Sequence, residues 1–397
     1  MYQFKKIMIL LMIFSVALFS EASAISGDAD GIPAAAAASE EPKNKIVFGE
    51  CKAAAVYECT AGTLLAGLNE NEPLPAGHLA KLLTFLIAAE KITAGELSEN
   101  ETAVCSHYAN SQQGSQIWLD EGEKISIGEL MKAISIGNAN DACVCLAEKI
   151  AADESSFTGL ENRKAEILDM QDSFFDDSTG NSPNTVLSAA DACRLCSELV
   201  KLDSFSPYFT TWMDTVRGGK AELVSRNRLM RSYKGIKGFK VCRTDKVGEC
   251  AAVCAKRGDM TVCAVVLGAA DEDALFEQVR KLLDSAFASY EVYYPEIPEE
   301  AAADIKVEHG VKPECMTNIP GLSAVIIPKG SYRSVTSTFE RTDKLTAPVK
   351  TGTPVGNIVF SLGDDTLAAA EICSAENVDE VDFGFALKRV LYNLLNI

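Results

Sequence analysis

A chain of 397 residues with a formal net charge of −19 is long enough for two or more domains with separate hydrophobic cores. This acidic balance offers no basic stripe for phosphate groups, so nucleic acid is excluded as an expected partner. Thirteen cysteines are scattered through apolar segments, and we predict that most are small buried hydrophobic residues rather than a disulfide framework.

The first 24 residues are predicted to be a secretory signal peptide. Lys5 and Lys6 form its charged start, an apolar run follows at 7–19, and Ala22-Ser23-Ala24 provides a small-residue cleavage site. The apolar run is short for a bilayer span, although a short membrane anchor is the alternative. Residues 25–44 then read as a low-complexity linker. We therefore expect an exported protein of the cell envelope.

Residues 45–290 are predicted to form an α+β domain. Two short strands flank a turn at 60–62, a helix with apolar residues at helical spacing covers 79–92, and two helices flank 137–140. Another helix follows the capping residue Ser188. Alternating β-rich runs at 235–269 indicate neighbouring antiparallel strands, and a last helix follows from 272.

Beyond a proline-containing acidic boundary, residues 291–377 are predicted to form a small all-β domain. Their short strands are separated by turn residues. Residues 378–397 are predicted to form an amphipathic helix whose apolar face includes Phe383, Leu387 and Leu391. Two interpretations of this helix remain open: contact with a membrane surface, or packing against its own protein.

Metal chemistry has little support in the sequence. The close pairs Cys143-Val-Cys145 and Cys193-Arg-Leu-Cys196 lack partner pairs at zinc-binding spacing, and the chain has only three histidines. We therefore predict no metal site and no cofactor. The odd number of cysteines indicates at least one free thiol.

Four segments in the right order resemble the low-molecular-weight penicillin-binding proteins, the serine-type D-alanyl-D-alanine carboxypeptidases (peptidase S11). "LPAGHLAKLLT" is similar to L-P-x-A-S-x-T-K-x-M-T, and "GSQIWLDEGE" with "SIGNANDA" is similar to the segment that leads into S-x-N-D-A. "GIKGFKVCRTDKVGECAAVC" is similar to the K-T-G segment, and "LTAPVKTGTPVG" is similar to a run of the second domain. The resemblance covers nearly the whole mature chain and implies a β-lactamase/transpeptidase-like fold.

The resemblance also implies a mechanism and its residues. In the family a serine attacks the D-Ala-D-Ala bond, a lysine one turn later accepts its proton, and S-x-N and K-T-G bind the substrate. The nucleophile position here is His78, and Lys81 holds the general-base position. The nearest hydroxyl to Lys81 along the chain is that of Thr84, which lies on the wrong side.

The substrate-binding motifs also depart from the family pattern. Asn138 replaces the serine of S-x-N while Asn140 remains, and K-T-G has become Lys240-Val241-Cys242. The catalytic hydroxyls are thus replaced, whereas the cationic and amide groups are kept.

These departures predict a pseudoenzyme that binds peptidoglycan stem peptides or cell-wall proteins. The alternative is an active D-Ala-D-Ala carboxypeptidase or other hydrolase that uses altered residues, with Cys242 and His78 as a thiol–imidazole pair. His107 and His309 lie in polar segments and are predicted to be surface residues.

Overall fold

The computed structural model describes residues 46–75 and 77–395. The predicted signal peptide and linker, residues 1–44, lie outside the described residues.

The strands of the first domain are β1 (Ala53–Glu58), β2 (Thr63–Leu68), β3 (Thr102–Val104), β4 (Lys124–Ser126), β5 (Met213–Val216), β6 (Ala221–Val224), β7 (Ile236–Thr244), β8 (Gly248–Arg257) and β9 (Met260–Ala269). Its α-helices are α1 (Lys81–Thr93), α2 (His107–Asn110), α3 (Ile127–Ser135), α4 (Asn140–Ala151), α5 (Glu154–Ile167), α6 (Ala189–Lys201), α7 (Ser206–Thr210), α8 (Leu229–Ser232) and α9 (Glu272–Ser289). Short 3-10 turns occur at Gly77–Ala80, Asp203–Phe205 and Arg217–Gly219.

A five-stranded antiparallel sheet in the order β2–β1–β9–β8–β7 lies at the centre of this domain. β8 and β9 are buried on both faces, as their nearly continuous apolar sequences require. One face packs against the layer that contains α1 and α3 to α7, and the other packs against α9. The sheet therefore separates two hydrophobic cores.

Local sequence signals account for the helix boundaries. The hydroxyl of Ser188 accepts the backbone N–H of Asp191 at the start of α6, which confirms the predicted cap. Asp271 caps α9 in the same way through the N–H of Ala274. The helix predicted over 79–92 instead begins as the 3-10 turn, where Gly77 has a φ of +56°, and becomes α-helical at Lys81.

The C-terminal part consists of β10 (Tyr290–Tyr293), α10 (Glu299–Ala302), β11 (Ile305–Glu308), β12 (Glu314–Cys315), β13 (Thr317–Asn318), β14 (Val325–Pro328), a 3-10 turn (Tyr332–Ser334), β15 (Val335–Arg341), β16 (Lys344–Thr346), β17 (Pro354–Leu362), β18 (Asp365–Ser374) and α11 (Phe383–Leu395). β13, β18, β17 and β15 form the largest of its sheets, around the buried side chains of Ile358 and Phe360. The prediction of an α+β domain followed by a small β domain is confirmed.

The apolar face of α11 is exposed to solvent. Phe383 is 83% exposed, and Leu387, Val390 and Leu391 each expose about half of their surface. Within the described residues, this face is not packed against its own protein. No helix in the described ranges is long and apolar enough to cross a bilayer.

All thirteen cysteines lie in the described ranges and outside disulfide bonds, and all but Cys51 are buried. This confirms the prediction that they act mainly as small core residues.

Candidate functional site

The candidate site lies where the 3-10 turn before α1 meets β7 and the loop between α3 and α4. His78 belongs to the turn and is half-buried, whereas Lys81, the first residue of α1, is fully buried. The turn packs tightly on β7, because a β-carbon built on Gly77 would lie 2.6 Å from Cγ2 of Thr244. Little space therefore separates the helix start from the strand.

The ammonium group of Lys81 is held by two protein acceptors. Its Nζ donates to Oδ1 of Asn140 and to the carbonyl oxygen of Thr179, both at 2.6 Å. Burial lowers the pKa of Lys81 to about 8, from an ordinary value of 10.5. Two of the predicted site residues, Lys81 and Asn140, are thus in direct contact.

Asn140 is also fixed from its other side. Its Nδ2 donates to the carbonyl oxygen of Gln113 at 2.5 Å, and its backbone N–H donates to that of Ser115 at 2.7 Å. Because Oδ1 accepts a hydrogen bond from Lys81, both the oxygen and the nitrogen of this amide already have protein partners.

Asn138 and Lys240 join the loop to β7. Nζ of Lys240 donates to Oδ1 of Asn138 at 2.7 Å and to the carbonyl oxygen of Ile134 at 2.5 Å. Nδ2 of Asn138 donates to the carbonyl oxygen of Val241 at 3.2 Å. Asn138 has a φ of +58°, a left-handed conformation that asparagine tolerates better than most residues. Two hydrogen bonds of its amide therefore tie the loop to the strand.

The three residues of the third motif do not share a face of β7. Lys240 and Cys242 point toward the site, whereas Val241 packs into the core on the α9 side, together with Leu229 and Tyr233. This follows from the alternation of side chains along a strand. The Val241 side chain therefore does not line the site, although its carbonyl oxygen does.

Cys242 fills the space between the strand and the helix start. Its thiol faces Cys250, its direct partner on β8, and accepts a hydrogen bond from the backbone N–H of Leu79. The hydrogen bond from Cys250 lowers the pKa of Cys242, the Leu79 N–H and nearby ammonium groups act in the same direction, and burial opposes them.

His78 lies in an electropositive environment. Burial, with the ammonium groups of Lys81 and Lys240 nearby, lowers the pKa of His78 to about 2. The imidazole is neutral at physiological pH, and a proton transferred to it would add a third positive charge. It is therefore a poor general base.

An open cavity of about 290 Å³ lies beside His78. It is lined by the segments around Gly77, 180–183 and 243–246. Its two hydroxyl groups already have partners, because Ser182 donates to Asp176 and Thr244 accepts the N–H of Val247. Neither of these hydrogen bonds is made with a lysine or a histidine.

The loop that covers Lys81 carries no motif that would mark it in the sequence. Gly180 of this loop has a φ of +77°, and a β-carbon there would lie only 2.0 Å from the carbonyl oxygen of Gly77. Only glycine fits, and this contact places the Thr179 carbonyl on Lys81. A glycine between polar residues is too weak a signal to reveal such an approach.

A buried carboxyl group behind Lys81 was not predicted from the sequence either. Glu161 of α5 is fully buried, and its Oε1 accepts the hydroxyl of Thr84 at 2.7 Å. Burial raises the pKa of Glu161 well above its ordinary value, which favours the uncharged form of the carboxyl group. Thr84 is bound within this cluster, and its hydroxyl does not replace the missing nucleophile.

The other two histidines are exposed, as predicted. His107 contacts Glu121 at 2.9 Å, and His309 lies in a turn of the C-terminal part.

Two family models match the chain. One, described as D-alanyl-D-alanine carboxypeptidase of peptidase S11, matches residues 38–271. The other, described as penicillin-binding protein 5, C-terminal domain, matches residues 322–380.

Similar proteins extend over most of the chain. D-alanyl-D-alanine carboxypeptidase DacF of Bacillus subtilis (strain 168) is 30% identical over 366 residues, covering 90% of this chain and 94% of its own. DacC of Escherichia coli (strain K12), also a D-alanyl-D-alanine carboxypeptidase, is 28% identical and covers 84% of this chain and 86% of its own. Penicillin binding protein 5 from Haemophilus influenzae has a TM-score of 0.75 at 21% identity, covering 85% of this chain and 100% of its own, and supports the fold alone.

The buried ammonium of Lys240 predicts a specific pH dependence of stability. Burial lowers its pKa to about 7 from 10.5, so between these values the unfolded chain binds more protons at this group than the folded chain. The contribution of this lysine to the free energy of unfolding therefore rises with pH between about 7 and 10.5. Urea unfolding at about pH 7 and about pH 9 should show the wild type gaining stability relative to Lys240→Met at the higher pH.

Lys246→Met is the matched control, because it removes an ammonium exposed in the turn that follows β7. Removal of this exposed ammonium should not reproduce the pH-dependent difference expected for Lys240→Met. A Lys240→Met difference that is likewise independent of pH would contradict the lowered pKa.

Proposed function

The chain belongs to the D-alanyl-D-alanine carboxypeptidase family, and we propose that it is an exported cell-envelope homologue that does not hydrolyse D-Ala-D-Ala. Its role is to bind peptidoglycan stem peptides or a protein partner of the envelope. The absence of a hydroxyl at the nucleophile position, occupied by His78, is the observation that carries the proposal.

The chemistry of acyl transfer supports this proposal. Loss of the nucleophile in a serine hydrolase typically reduces turnover on the order of a millionfold. The imidazole of His78, with a pKa of about 2, is neutral at physiological pH. It does not replace a serine nucleophile, and it is not a base that would accept a proton from a nucleophile. The remaining lysines therefore have no nucleophile to activate.

The contacts of the cations lead to the same conclusion. Lys81 and Lys240 donate to protein acceptors, and Cys242 occupies the place where the family pattern has a glycine. A substrate carboxylate would have to displace these internal partners. The open cavity beside His78, with Arg243 and Lys246 on its rim, is a better place for an anionic stem peptide.

Acylation by a fluorescent penicillin tests the proposed inactivity. The wild type should remain unlabelled and should release no D-alanine from diacetyl-Lys-D-Ala-D-Ala. The triple variant His78→Ser/Asn138→Ser/Cys242→Gly should become labelled. It restores the serine nucleophile, the serine hydroxyl of S-x-N, and the glycine of K-T-G, which leaves space beside the strand. Val241 is left unchanged since its side chain faces the other core.

The matched control carries His78→Ala with the same two other substitutions, and it should stay unlabelled. Labelling of the wild type, or release of D-alanine that is abolished by His78→Ala, would refute the proposal.

A second candidate function is a hydrolase that uses Cys242 as its nucleophile. The lowered pKa of this thiol favours it. Against it, the thiol is fully buried, and proton transfer to His78 is opposed by two neighbouring ammonium groups.

Iodoacetamide labelling at neutral pH distinguishes the two candidates. The proposed pseudoenzyme should show slow alkylation of Cys242, no faster than that of the partly exposed Cys51, because burial limits access. Fast alkylation of Cys242 that is suppressed by His78→Ala would establish the hydrolase instead. Peptide mapping by mass spectrometry identifies the labelled cysteine.

Attachment to the envelope is proposed to involve two surfaces. The exposed apolar face of α11, with Lys388 and Arg389 on the same helix, fits the boundary of a membrane. The cavity rim at Arg243 and Lys246 fits anionic peptidoglycan.

Cosedimentation separates the contributions of these surfaces. Deletion of 383–397 should abolish binding to phosphatidylcholine vesicles that contain some phosphatidylglycerol, and should leave binding to purified peptidoglycan unchanged. Arg243→Glu/Lys246→Glu should have the opposite pattern. Binding that neither change affects would remove both surfaces from consideration.

A further inference from the structure

A cluster of five cysteines lies between α6 and the central sheet, away from the candidate site. Cys193 and Cys196 are three residues apart on α6 and so share a face of the helix. Cys254 of β8 and Cys263 of β9 are direct partners across the two strands. Cys59, just after β1, lies next to Cys254.

The sulfur atoms of this cluster converge. The Sγ atoms of Cys196, Cys254 and Cys263 all lie within 4.8 Å of one another, and the Cys193 thiol is within hydrogen-bonding reach of Cys263. In the described part of the chain, this is the only group of three or more histidine, cysteine or acidic side chains with the geometry to hold a metal ion. A thiol that only fills space in a core has no need of three sulfur neighbours.

We propose that Cys193, Cys196, Cys254 and Cys263 form a structural site that binds Zn²⁺ through four thiolates. The Cys-x-x-Cys pair on α6 has the spacing of a zinc ligand pair. Its partner pair comes not from a second short motif but from two opposed strand positions, which is why the sequence pattern did not show it.

The sulfur geometry needs only a small contraction. Three atoms at most 4.8 Å apart can all lie within about 2.8 Å of a common centre, and a Zn–S bond is about 2.3 Å long. The fourth sulfur, that of Cys193, contacts Cys263 and also lies 3.8 Å from the carbonyl oxygen of Ala55. Coordination of the metal by Cys193 would require this sulfur to give up its weak contact with Ala55, and rotation about the Cα–Cβ bond is the movement proposed for it.

The ion also fits the chemistry of the donors. Sulfur ligands select zinc or monovalent copper, and four donors match the tetrahedral preference of zinc. Binding releases the thiol protons to solvent and leaves a centre with a charge of −2. The guanidinium of Arg194, which lies between the two helix cysteines in sequence, is close enough to Cys193 to offset part of this charge.

One cysteine of the cluster lies at a surface cavity. Cys59 lines a surface cavity of about 610 Å³ together with Tyr57, Arg194 and Ser197. Because Cys59 also contacts Cys254, an ion that enters this cavity meets a thiol before it reaches the buried ligands. Cys59 is therefore assigned to delivery rather than to the final ligand set.

Cobalt substitution tests the site directly. The full chain, purified anaerobically with a reductant, should bind one equivalent of Co²⁺ and show the visible bands of a tetrahedral cobalt thiolate, which added Zn²⁺ should abolish. The Cys254→Ala/Cys263→Ala variant should lose these bands. Cys145→Ala is the matched control, because this cysteine of α4 is equally buried and lies outside the cluster.

Measurements on the unmodified chain keep the test independent of whether the variants fold. Native mass spectrometry should show one zinc per chain, and X-ray absorption at the zinc edge should show four sulfur neighbours at about 2.3 Å. Any one of four results would overturn the assignment: no metal uptake by the reduced chain, unchanged cobalt bands in the double variant, a Cys254–Cys263 disulfide in the isolated protein, or preferential capture of Cu⁺ with three sulfur ligands.

Discussion

The candidate site is organised by two ammonium groups that are buried side by side. Removing Lys81 and Lys240 from water is costly, and their positive charges repel each other. The protein compensates with amide and carbonyl oxygens from several segments: Asn140 and the Thr179 carbonyl on Lys81, and Asn138 and the Ile134 carbonyl on Lys240. Each lysine therefore fixes a loop against an element distant in sequence.

The electric field of these two ammonium groups determines what the neighbouring side chains can do. A neutral His78 is compatible with two nearby cations, whereas an imidazolium would be repelled by both. A thiol at Cys242 is stabilised in its anionic form by the same charges, but it is buried against the helix start. The two lysines thus lie beside an imidazole that is a poor proton acceptor and a thiol that solvent barely reaches.

Much of the fold follows from local sequence signals, and the contacts of the site do not. The helix cap at Ser188 and the alternating strands of 236–269 are set by near neighbours, which is why the sequence predicted them. The lysine and asparagine positions were predicted because the motifs preserve their order. The close approach of Gly180 to Gly77, and the opposite orientation of Val241, depend on how distant segments pack, and no local pattern encodes this.

β8 connects the candidate site to the proposed metal site. It places Cys250 opposite Cys242 and, four residues later on the same face, Cys254 opposite Cys263. At about 3.4 Å per residue, the two pairs are about 14 Å apart, too far for one ion to bind both. The link is mechanical, because a metal that joins α6 to β8 and β9 would oppose sliding of these strands. Since β7 is paired to β8 along its length, the position of Cys242 and of Lys240 against the helix start would be fixed by the same constraint.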